Sequence, residues 1–432
     1  MNDVFLESPI IAISGLASKT ELSQADHGVF AALPKRVIDH SPELRRKVGT
    51  GFIFQCFRRR IWRVMKGSPH LAYDARLSLG QYRGMGHYLR QLIAGREREF
   101  LGFCATGEED ASLNLVSSGL RPYPLWEQMS IPRLVRDHKV ETFVAPYNTA
   151  PLFLPKGVKL VMIVYDLIFM DRAPLSRSLY QNAGRLYRRF VVPKAIRRAD
   201  VVLTCSHYSA RQIVSRFRLD SSKVRVIPCS LGEEWFSLEV PGPGASPYIL
   251  VVAGEAPSKN LSRALAAFAR YRTSNRVTGL RLKVAGVKER FHPLFQNEAR
   301  TLGVEEFVDF VRYIPDSEMR RLFQQAELFV MPSISEGFGI PVLEAMASGV
   351  PVAASSSTCL QEVGGDAARY FDPFSIEDMA TTMHEILADS ALRRDMSERG
   401  RIQSRKFHPD VVSKQIQSFW NEMERVENHC KE

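Results

Sequence analysis

Residues 331–347 read Met-Pro-Ser-Ile-Ser-Glu-Gly-Phe-Gly-Ile-Pro-Val-Leu-Glu-Ala-Met-Ala, and this stretch decides the fold. The apolar run Leu328–Met331 at its start predicts a buried strand. Pro341 suits the first position of a helix, because its missing N–H would be unpaired there in any case. A glycine-rich turn between a strand and a helix is therefore predicted, as in a parallel α/β fold.

Two glutamates, Glu336 and Glu344, flank this turn with seven residues between them. Gly337 and Gly339 allow the backbone to approach a ligand closely, and the helix N-terminus offers N–H groups to an anion such as a diphosphate. Ionised carboxylates only accept hydrogen bonds, so Glu336 suits sugar hydroxyls and Glu344, predicted in the first helical turn, suits ribose hydroxyls. The alternative is structural, with Glu344 favouring a helix N-terminus and Glu336 solvated.

The stretch resembles the Glu-x7-Glu signature of retaining glycosyltransferases of family 4, which include bacterial polysaccharide mannosyl- and glucosyltransferases. The resemblance implies the GT-B fold, an α/β architecture of two Rossmann-like parallel-sheet domains facing across a cleft, with a C-terminal helix crossing back to the first domain. In that family the first glutamate contacts the donor sugar and the second contacts the ribose. The donor-binding residues implied here are Glu336, Gly337, Phe338, Gly339, Ile340, Glu344, Lys259 and Gly254.

Length and composition fit a globular protein of two domains. A chain of 432 residues exceeds what one core usually supports, and 45% hydrophobic with 24% charged residues is typical of globular proteins. No apolar run reaches 18 residues and residues 1–15 lack the basic region of a signal peptide, which predicts a cytoplasmic protein. The cysteines have neither zinc nor disulfide spacing and are predicted to be free thiols: Cys56, Cys104, Cys205, Cys229, Cys359 and Cys430.

The chain is predicted to divide at a linker rich in proline and glycine, residues 241–247. Before it, residues 70–240 alternate apolar runs with helical patterns, which predicts a Rossmann-like domain, and residues 248–405 repeat the pattern. The resemblance implies that the first is the acceptor domain and the second the nucleotide-sugar domain. Residues 406–432 are predicted to be a helix that, by resemblance, packs on the first domain. Residues 1–69 form an N-terminal extension, and three alternatives are open for it: an extra strand and helix, a membrane-docking element, or a partly disordered segment.

The predicted strands are 70–77, 99–105, 140–147, 159–167, 201–206 and 224–230 in the first domain, and 248–253, 280–286, 307–312, 328–331 and 351–354 in the second. The predicted helices include 87–99, 175–199, 208–217, 261–271, 315–326 and 409–424.

The net charge of +11 favours an anionic partner. Residues 45–66 interleave basic and aromatic side chains, which is typical of a membrane-surface segment, although an ordinary helix with its aromatic side chains packed on the domain is the alternative. Residues 185–198 are a second basic helix, for which a solvated face is predicted. No nucleic-acid-binding motif accompanies the charge, so nucleic acid is not a predicted partner.

Lys259 follows one predicted strand and opens a helix, where a compact cation would meet a phosphate. It matches the diphosphate-binding lysine of the family. Many members carry an arginine five positions earlier, where this chain has Gly254, so the charge of the diphosphate would rest more heavily on Lys259 or on another basic group. A solvated lysine at a helix start is the alternative.

The first domain offers a second group of residues. Gly84, Gly86 and His87 are similar to the family's N-terminal glycine loop, which would reach a phosphate or the acceptor, with capping of its own helix as the alternative for His87. Tyr165 and Asp166 end a strand on the acceptor side. Many relatives have histidine in place of Tyr165, which donates a hydrogen bond but is a poor base near neutrality. Asp166 either orients the acceptor hydroxyl or caps the following turn.

Ser206 and Ser209 match a family loop at the interdomain cleft, with helix capping as the alternative role. The chain contains no Asp-x-Asp motif, the carboxylate pair by which another class of glycosyltransferases holds a divalent cation. Metal-independent transfer without a cofactor is therefore predicted, with Lys259 and helix dipoles holding the diphosphate.

Together these features predict a retaining hexosyltransferase that extends a glycan. Its predicted catalytic residues are Glu336, Lys259 and Asp166. The donor is a nucleoside diphosphate sugar, with GDP-mannose favoured and a UDP-hexose as the alternative. The acceptor is a lipid-linked oligosaccharide in the synthesis of a surface polysaccharide such as lipopolysaccharide. The enzyme would be peripheral on the inner, anionic face of the plasma membrane. The alternatives are a non-catalytic GT-B membrane or assembly partner, favoured by Gly254 and Tyr165, and a sugar-nucleotide epimerase.

Overall fold

The computed structural model describes residues 70–79, 84–105, 107, 110–170, 179–236, 247–312 and 314–429. The predictions made for residues 1–69 and for residues 241–246 of the linker lie outside these residues. Four cysteines fall inside them, and all four are buried and free, as predicted: Cys104, Cys205, Cys229 and Cys359.

The first domain is built on a seven-stranded parallel sheet. Its strands are β1 Leu71–Asp74, β2 Phe100–Cys104, β3 Leu115–Ser117, β4 Thr142–Ala145, β5 Lys159–Ile163, β6 Val201–Thr204 and β7 Val224–Val226. Their order across the sheet is β3-β2-β1-β4-β5-β6-β7. The longer helices are α1 Met85–Ile93, α2 Ile131–Asp137, α3 Leu179–Arg198 and α4 His207–Phe217. Strands β2 and β4 are buried along their whole length, as expected for a parallel sheet covered on both faces.

The second domain has a six-stranded parallel sheet in the order β10-β9-β8-β11-β12-β13. Its strands are β8 Tyr248–Val252, β9 Arg281–Ala285, β10 Val308–Phe310, β11 Leu328–Met331, β12 Val352–Ser355 and β13 Ala368–Phe371. Its helices are α5 Leu261–Asn275, α6 His292–Thr301, α7 Asp316–Gln324, α8 Ile340–Ala347, α9 Leu360–Gly364, α10 Ile376–Ala388 and α11 Ser390–Ser404. The α/β architecture of two Rossmann-like domains is confirmed.

The predicted strands are all present, but most end earlier than predicted because apolar residues continue past the last paired residue into the connections. Two strands were missed, β3 and β13. Both lie at a sheet edge, and each is three or four residues long with exposed positions, so neither has the long apolar run that marks a central strand.

The C-terminal helix α12, Pro409–His429, crosses back to the first domain as predicted. The indole N–H of Trp420 donates to the carbonyl oxygen of Leu92 at 2.9 Å, and its ring packs edge-to-face on Phe100 with centroids 5.2 Å apart. Trp420 is 1% exposed, so this contact buries a large apolar surface between the end of the chain and the first sheet. Neither α12 nor any other helix in the described ranges has the length and apolar character needed to cross a membrane.

A buried carboxylate stabilises the connection that follows β3. Residues Trp126–Ser130 form a π-helical turn, and Glu127 within it is 2% exposed. Its carboxylate accepts hydrogen bonds from the hydroxyls of Tyr123 at 2.7 Å, Tyr187 at 2.5 Å and Thr149 at 2.5 Å. Burial raises the pKa of Glu127, and these three hydroxyls oppose that shift. The network ties α3 to the β4 side of the sheet.

Candidate active site

The candidate site lies beyond the carboxyl ends of β8 and β11. These strands are parallel neighbours, so the connections that follow them meet at one edge of the sheet, where open α/β sheets bind their ligands. Lys259 follows β8 and Glu336 follows β11. The ammonium Nζ of Lys259 lies 2.7 Å from Oε1 of Glu336, and their side chains are 33% and 12% exposed. The structure thus brings together the two residues predicted to bind the diphosphate and the sugar.

Lys259 is held by a turn that the sequence did not predict. The 3₁₀ turn Pro257–Lys259 comes before α5, which begins two residues later, so Lys259 precedes the helix instead of opening it. Asn260 joins the two elements in the left-handed conformation at φ 58°, which asparagine tolerates better than most residues. Its buried amide donates to the carbonyl oxygens of Pro332 at 2.9 Å and Pro373 at 2.7 Å. Asn260 therefore fixes the lysine turn to the connection that carries Glu336.

The turn between β11 and α8 corrects one predicted position. Helix α8 begins at Ile340, so Pro341 is its second residue and Glu344 its fifth. Glu344, predicted in the first turn, is therefore half-buried at the start of the second turn. Gly339 precedes the helix at φ 102°, a conformation that favours glycine, and a Cβ there would lie 2.5 Å from the side chain of Leu360.

Three more of the predicted donor-binding residues differ from one another in burial. Phe338 is buried, and its ring packs edge-to-face on Phe407 with centroids 5.6 Å apart, so its side chain belongs to the protein interior. Ile340 is half-buried at the first position of α8. Gly254 has open space around it, because no atom lies within 4 Å of an added Cβ.

Gly337 lies in close contact with the first domain. A Cβ on Gly337 would lie 2.6 Å from the carbonyl oxygen of Tyr165 in the first domain. The Gly337 carbonyl oxygen accepts a hydrogen bond from Ser206 Oγ at 2.9 Å and from Cys205 Sγ at 3.3 Å. Ser206 also caps α4, since its Oγ accepts from the N–H of Ser209 at 3.1 Å. Both roles predicted for Ser206, at the cleft and as a cap, are present together.

Tyr165 is buried beneath this contact. Its hydroxyl donates to the carbonyl oxygen of Met85 at 3.2 Å, and its ring packs edge-to-face on Tyr88 with centroids 5.3 Å apart. Burial raises the pKa of Tyr165 well above its ordinary value. A buried phenol that is already hydrogen-bonded and hard to ionise is not available as a base.

Asp166 lies on the first-domain side of the cleft. Its carboxylate accepts a hydrogen bond from the N–H of Ile168 at 3.0 Å, so it caps the following turn, one of its two predicted roles. Burial raises the pKa of Asp166; the charge of Glu336 raises it further, whereas the charges of Lys259 and Arg188 lower it. Arg188 lies on the second basic helix, for which a solvated face was predicted, and it is half-buried.

The predicted glycine loop lies beside Tyr165. Gly84 precedes α1 at φ 46°, Gly86 is buried in the first turn, and His87 is exposed. Because Met85 between the glycines accepts the hydroxyl of Tyr165, the loop borders the same cleft. In the described part of the chain, no group of three His, Cys, Asp or Glu side chains is arranged to hold a metal ion. Metal independence stays a prediction.

Two family models match the chain in succession. The model described as Glycosyltransferase Family 4 matches residues 81–231, which include β2 to β7. The model described as Glycosyl transferases group 1 matches residues 238–403, which include the whole second sheet. The boundary between the two matches falls between the two sheets.

The chain is also similar in sequence to individual named proteins and in fold to solved structures. The chain is 28% identical to O-antigen chain mannosyltransferase B of Escherichia coli over 282 residues, 63% of this chain and 72% of that one. It is 28% identical to the MMP alpha-(1->4)-mannosyltransferase of Mycolicibacterium hassiacum over 258 residues, 57% of this chain and 60% of that one. The crystal structure of Anabaena HepE in complex with UDP-glucose matches 82% of this chain and 99% of its own, with a TM-score of 0.62 at 16% identity, a likeness of fold.

Proposed function

Because the chain is a glycosyltransferase of the GT-B fold, with a Family 4 domain followed by a group 1 domain, we propose that it transfers mannose from a nucleoside diphosphate sugar to a glycan acceptor, with retention of the anomeric configuration. The observation that carries the proposal is the pair formed by Lys259 and Glu336 at the carboxyl edge of the second sheet. The two family matches favour an enzyme over the non-catalytic GT-B partner protein, and an assay of donor hydrolysis or transfer distinguishes the two.

The donor is proposed to be GDP-mannose. Mannose is supported by the names of two relatives, the O-antigen chain mannosyltransferase B and the MMP alpha-(1->4)-mannosyltransferase, to which this chain is 28% identical in each case. A UDP-hexose is the alternative, since HepE was crystallised with UDP-glucose.

Donor binding would exchange one ionic partner for another. In the protein alone, the Lys259 ammonium is neutralised by Glu336 at 2.7 Å. A diphosphate brought to Lys259 would take over that cation, because a doubly charged anion attracts it more strongly than a single carboxylate. Glu336 would then be released to accept hydrogen bonds from the sugar hydroxyls. The pair is thus suited to recognise both halves of a sugar nucleotide at once.

Transfer would follow a front-face course. The acceptor oxygen forms a bond to the anomeric carbon on the side from which the diphosphate leaves, the bond from that carbon to the phosphate oxygen breaks, and the acceptor proton passes to the leaving phosphate. Lys259 stabilises the charge that develops on the diphosphate. Asp166, which lies across the cleft from Gly337, would orient the acceptor hydroxyl.

The donor assignment is tested by thermal unfolding with candidate sugar nucleotides. We expect GDP-mannose to raise the melting temperature more than UDP-glucose or UDP-galactose, because a ligand present at about 100 times its Kd stabilises the folded state by about 2.7 kcal/mol. Incubation with a mannan-type acceptor should then release GDP, and NMR of the product should show the anomeric configuration of the donor. Stabilisation by UDP-hexoses alone would refute GDP-mannose, and an inverted product would refute the retaining course.

The acceptor is proposed to be lipid-linked and the enzyme peripheral on an anionic membrane. The net charge of +11 and the similarity to an O-antigen chain mannosyltransferase support both. We expect the protein to float with liposomes containing anionic phospholipid at low salt, and to be released as the salt rises, because screening weakens exposed charge. Liposomes of phosphatidylcholine alone are the control. Failure to float with the anionic liposomes at low salt would contradict the membrane proposal and leave the transfer reaction standing.

A further inference from the structure

Arg188 belongs to a helix that is attached to the site by its neighbouring arginines. Arg185 and Arg189, one on each side of it on α3, donate their Nε–H groups to the carbonyl oxygen of Phe169 at 3.3 Å and 3.0 Å. Phe169 lies in the 3₁₀ turn Ile168–Met170, which begins two residues after Asp166. The helix is therefore fixed against the turn that presents Asp166 to the cleft, and Arg188 is fixed with it.

Arg188 differs from these neighbours because, among the described residues, its guanidinium has no hydrogen-bond partner. Within the residues that the structure describes, it makes no hydrogen bond and no ion pair, and its recorded contact is with the ring of Phe169, 5.9 Å from the guanidinium carbon. The residue is half-buried. Arginine stays charged under all physiological conditions, and a partly desolvated cation is costly unless an anion neutralises it. A second anion, beside the Asp166 carboxylate, would lower that cost.

The position of Arg188 indicates where that anion would lie. Its guanidinium lies beside the ring of Phe169, three residues after Asp166, and its charge lowers the pKa of Asp166, as the charge of Lys259 does from the second domain. The Cβ of Asp166 would lie 3.4 Å from a Cβ on Gly337, so the two walls of the cleft touch at this point. A ligand held by Lys259 and Glu336 would thus face Arg188 across the cleft.

We propose that Arg188 binds the sugar-bearing phosphate of the donor and, with Lys259, neutralises the leaving diphosphate. The inference rests on the proposed function, since it takes a nucleoside diphosphate sugar as the ligand. Guanidinium matches phosphate with two parallel N–H···O bonds, which a lone ammonium cannot provide. Because Arg188 lies in the first domain and Lys259 in the second, the diphosphate bridges the domains, and binding of the donor favours closure of the cleft.

The test compares Arg188→Gln and Arg188→Lys with Arg197→Gln. Arg197 is exposed on the same helix and donates to the backbone of its own helix, so its variant removes the same charge away from the site. The probes are GDP, UDP and the corresponding monophosphates. For the diphosphate that wild type binds more tightly, we expect Arg188→Gln to raise Kd by about tenfold to one-hundredfold, and Arg188→Lys to raise it less. Monophosphate affinity and the Arg197→Gln protein should stay as in wild type.

A role of Arg188 in folding alone would lower the affinity for monophosphate and diphosphate equally and would lower the melting temperature, which would overturn the proposal. Unchanged diphosphate affinity in Arg188→Gln, with a wild type that transfers sugar, would overturn the inference alone. If Arg188→Gln does not fold, Arg188→Lys must still bind diphosphate less tightly than wild type, and equal binding would overturn the inference. A wild type that binds GDP or UDP and transfers no hexose refutes the proposed function but leaves the binding comparison valid. A wild type that binds neither nucleotide overturns both.

Discussion

Lys259→Ala is expected to lower kcat by about one-hundredfold to one-thousandfold, which is the effect of removing one group that stabilises developing negative charge in a transition state. The ammonium of Lys259 lies 2.7 Å from Glu336 at the carboxyl edge of the second sheet, and the turn that carries it is fixed by the buried amide of Asn260. Without the cation, the leaving diphosphate would carry its new charge in a closed cleft with less compensation. We therefore expect a greater effect on kcat than on KM.

Steady-state kinetics with the donor identified by thermal unfolding would measure this effect. Lys414→Ala is the matched control, because Lys414 is an exposed lysine on α12 outside the site. Glu336→Ala should also lower transfer, and the effects of the two substitutions should not add, since the two side chains are in direct contact. Near-wild-type transfer by both Lys259→Ala and Glu336→Ala would show that the assigned roles are wrong.

Gly337→Ala is expected to lower kcat by about one-hundredfold through a single methyl group. The added Cβ would lie 2.6 Å from the carbonyl oxygen of Tyr165, a distance that two backbones in separate domains can relieve only by moving apart. That movement would also lengthen the hydrogen bond from Ser206 to the Gly337 carbonyl oxygen, now 2.9 Å. A displacement of about 1 Å between reacting groups is enough to lower a rate by this factor.

The matched control is Gly400→Ala, which adds the same methyl group to α11. Its Cβ would lie 3.4 Å from the side chain of Met346, an ordinary contact, and alanine is a better helix former than glycine. We expect Gly400→Ala to keep its activity. Kinetics and small-angle X-ray scattering with saturating nucleotide would compare the two variants. If Gly337→Ala turns over like wild type, the tight contact between the domains is not needed for transfer.

Much of the site could be predicted because its residues lie in local patterns. The strand, the glycine turn and the helix around Glu336 were read from one stretch, and β11 ends where predicted, at Met331. The predicted position of Glu344 in the helix was wrong by part of a turn. Proline is accepted at either of the first two helix positions, and the sequence pattern alone does not choose between them.

The remaining features depend on contacts between distant parts of the chain. Gly337 and Tyr165 approach each other closely although they lie in different domains. No sequence pattern around either residue predicts this contact. Asn260 gave a weak signal, as an asparagine between a turn and a helix, but its two carbonyl partners are distant in sequence. Arg188 could not be distinguished from Arg185 by residue type; only the docking of α3 on the Phe169 turn leaves one of them unpaired.

The return of α12 to the first domain affects how the chain emerges from the ribosome. The surface that Trp420 covers on Leu92 and Phe100 is complete as soon as the first sheet is made, but Trp420 lies about 190 residues beyond Val226, the end of the last strand of that sheet. At a synthesis rate of about 5–20 residues per second, that apolar surface waits about 10–40 s. During translation the nascent first domain thus exposes an apolar surface of the kind that chaperones bind, until the final helix is released.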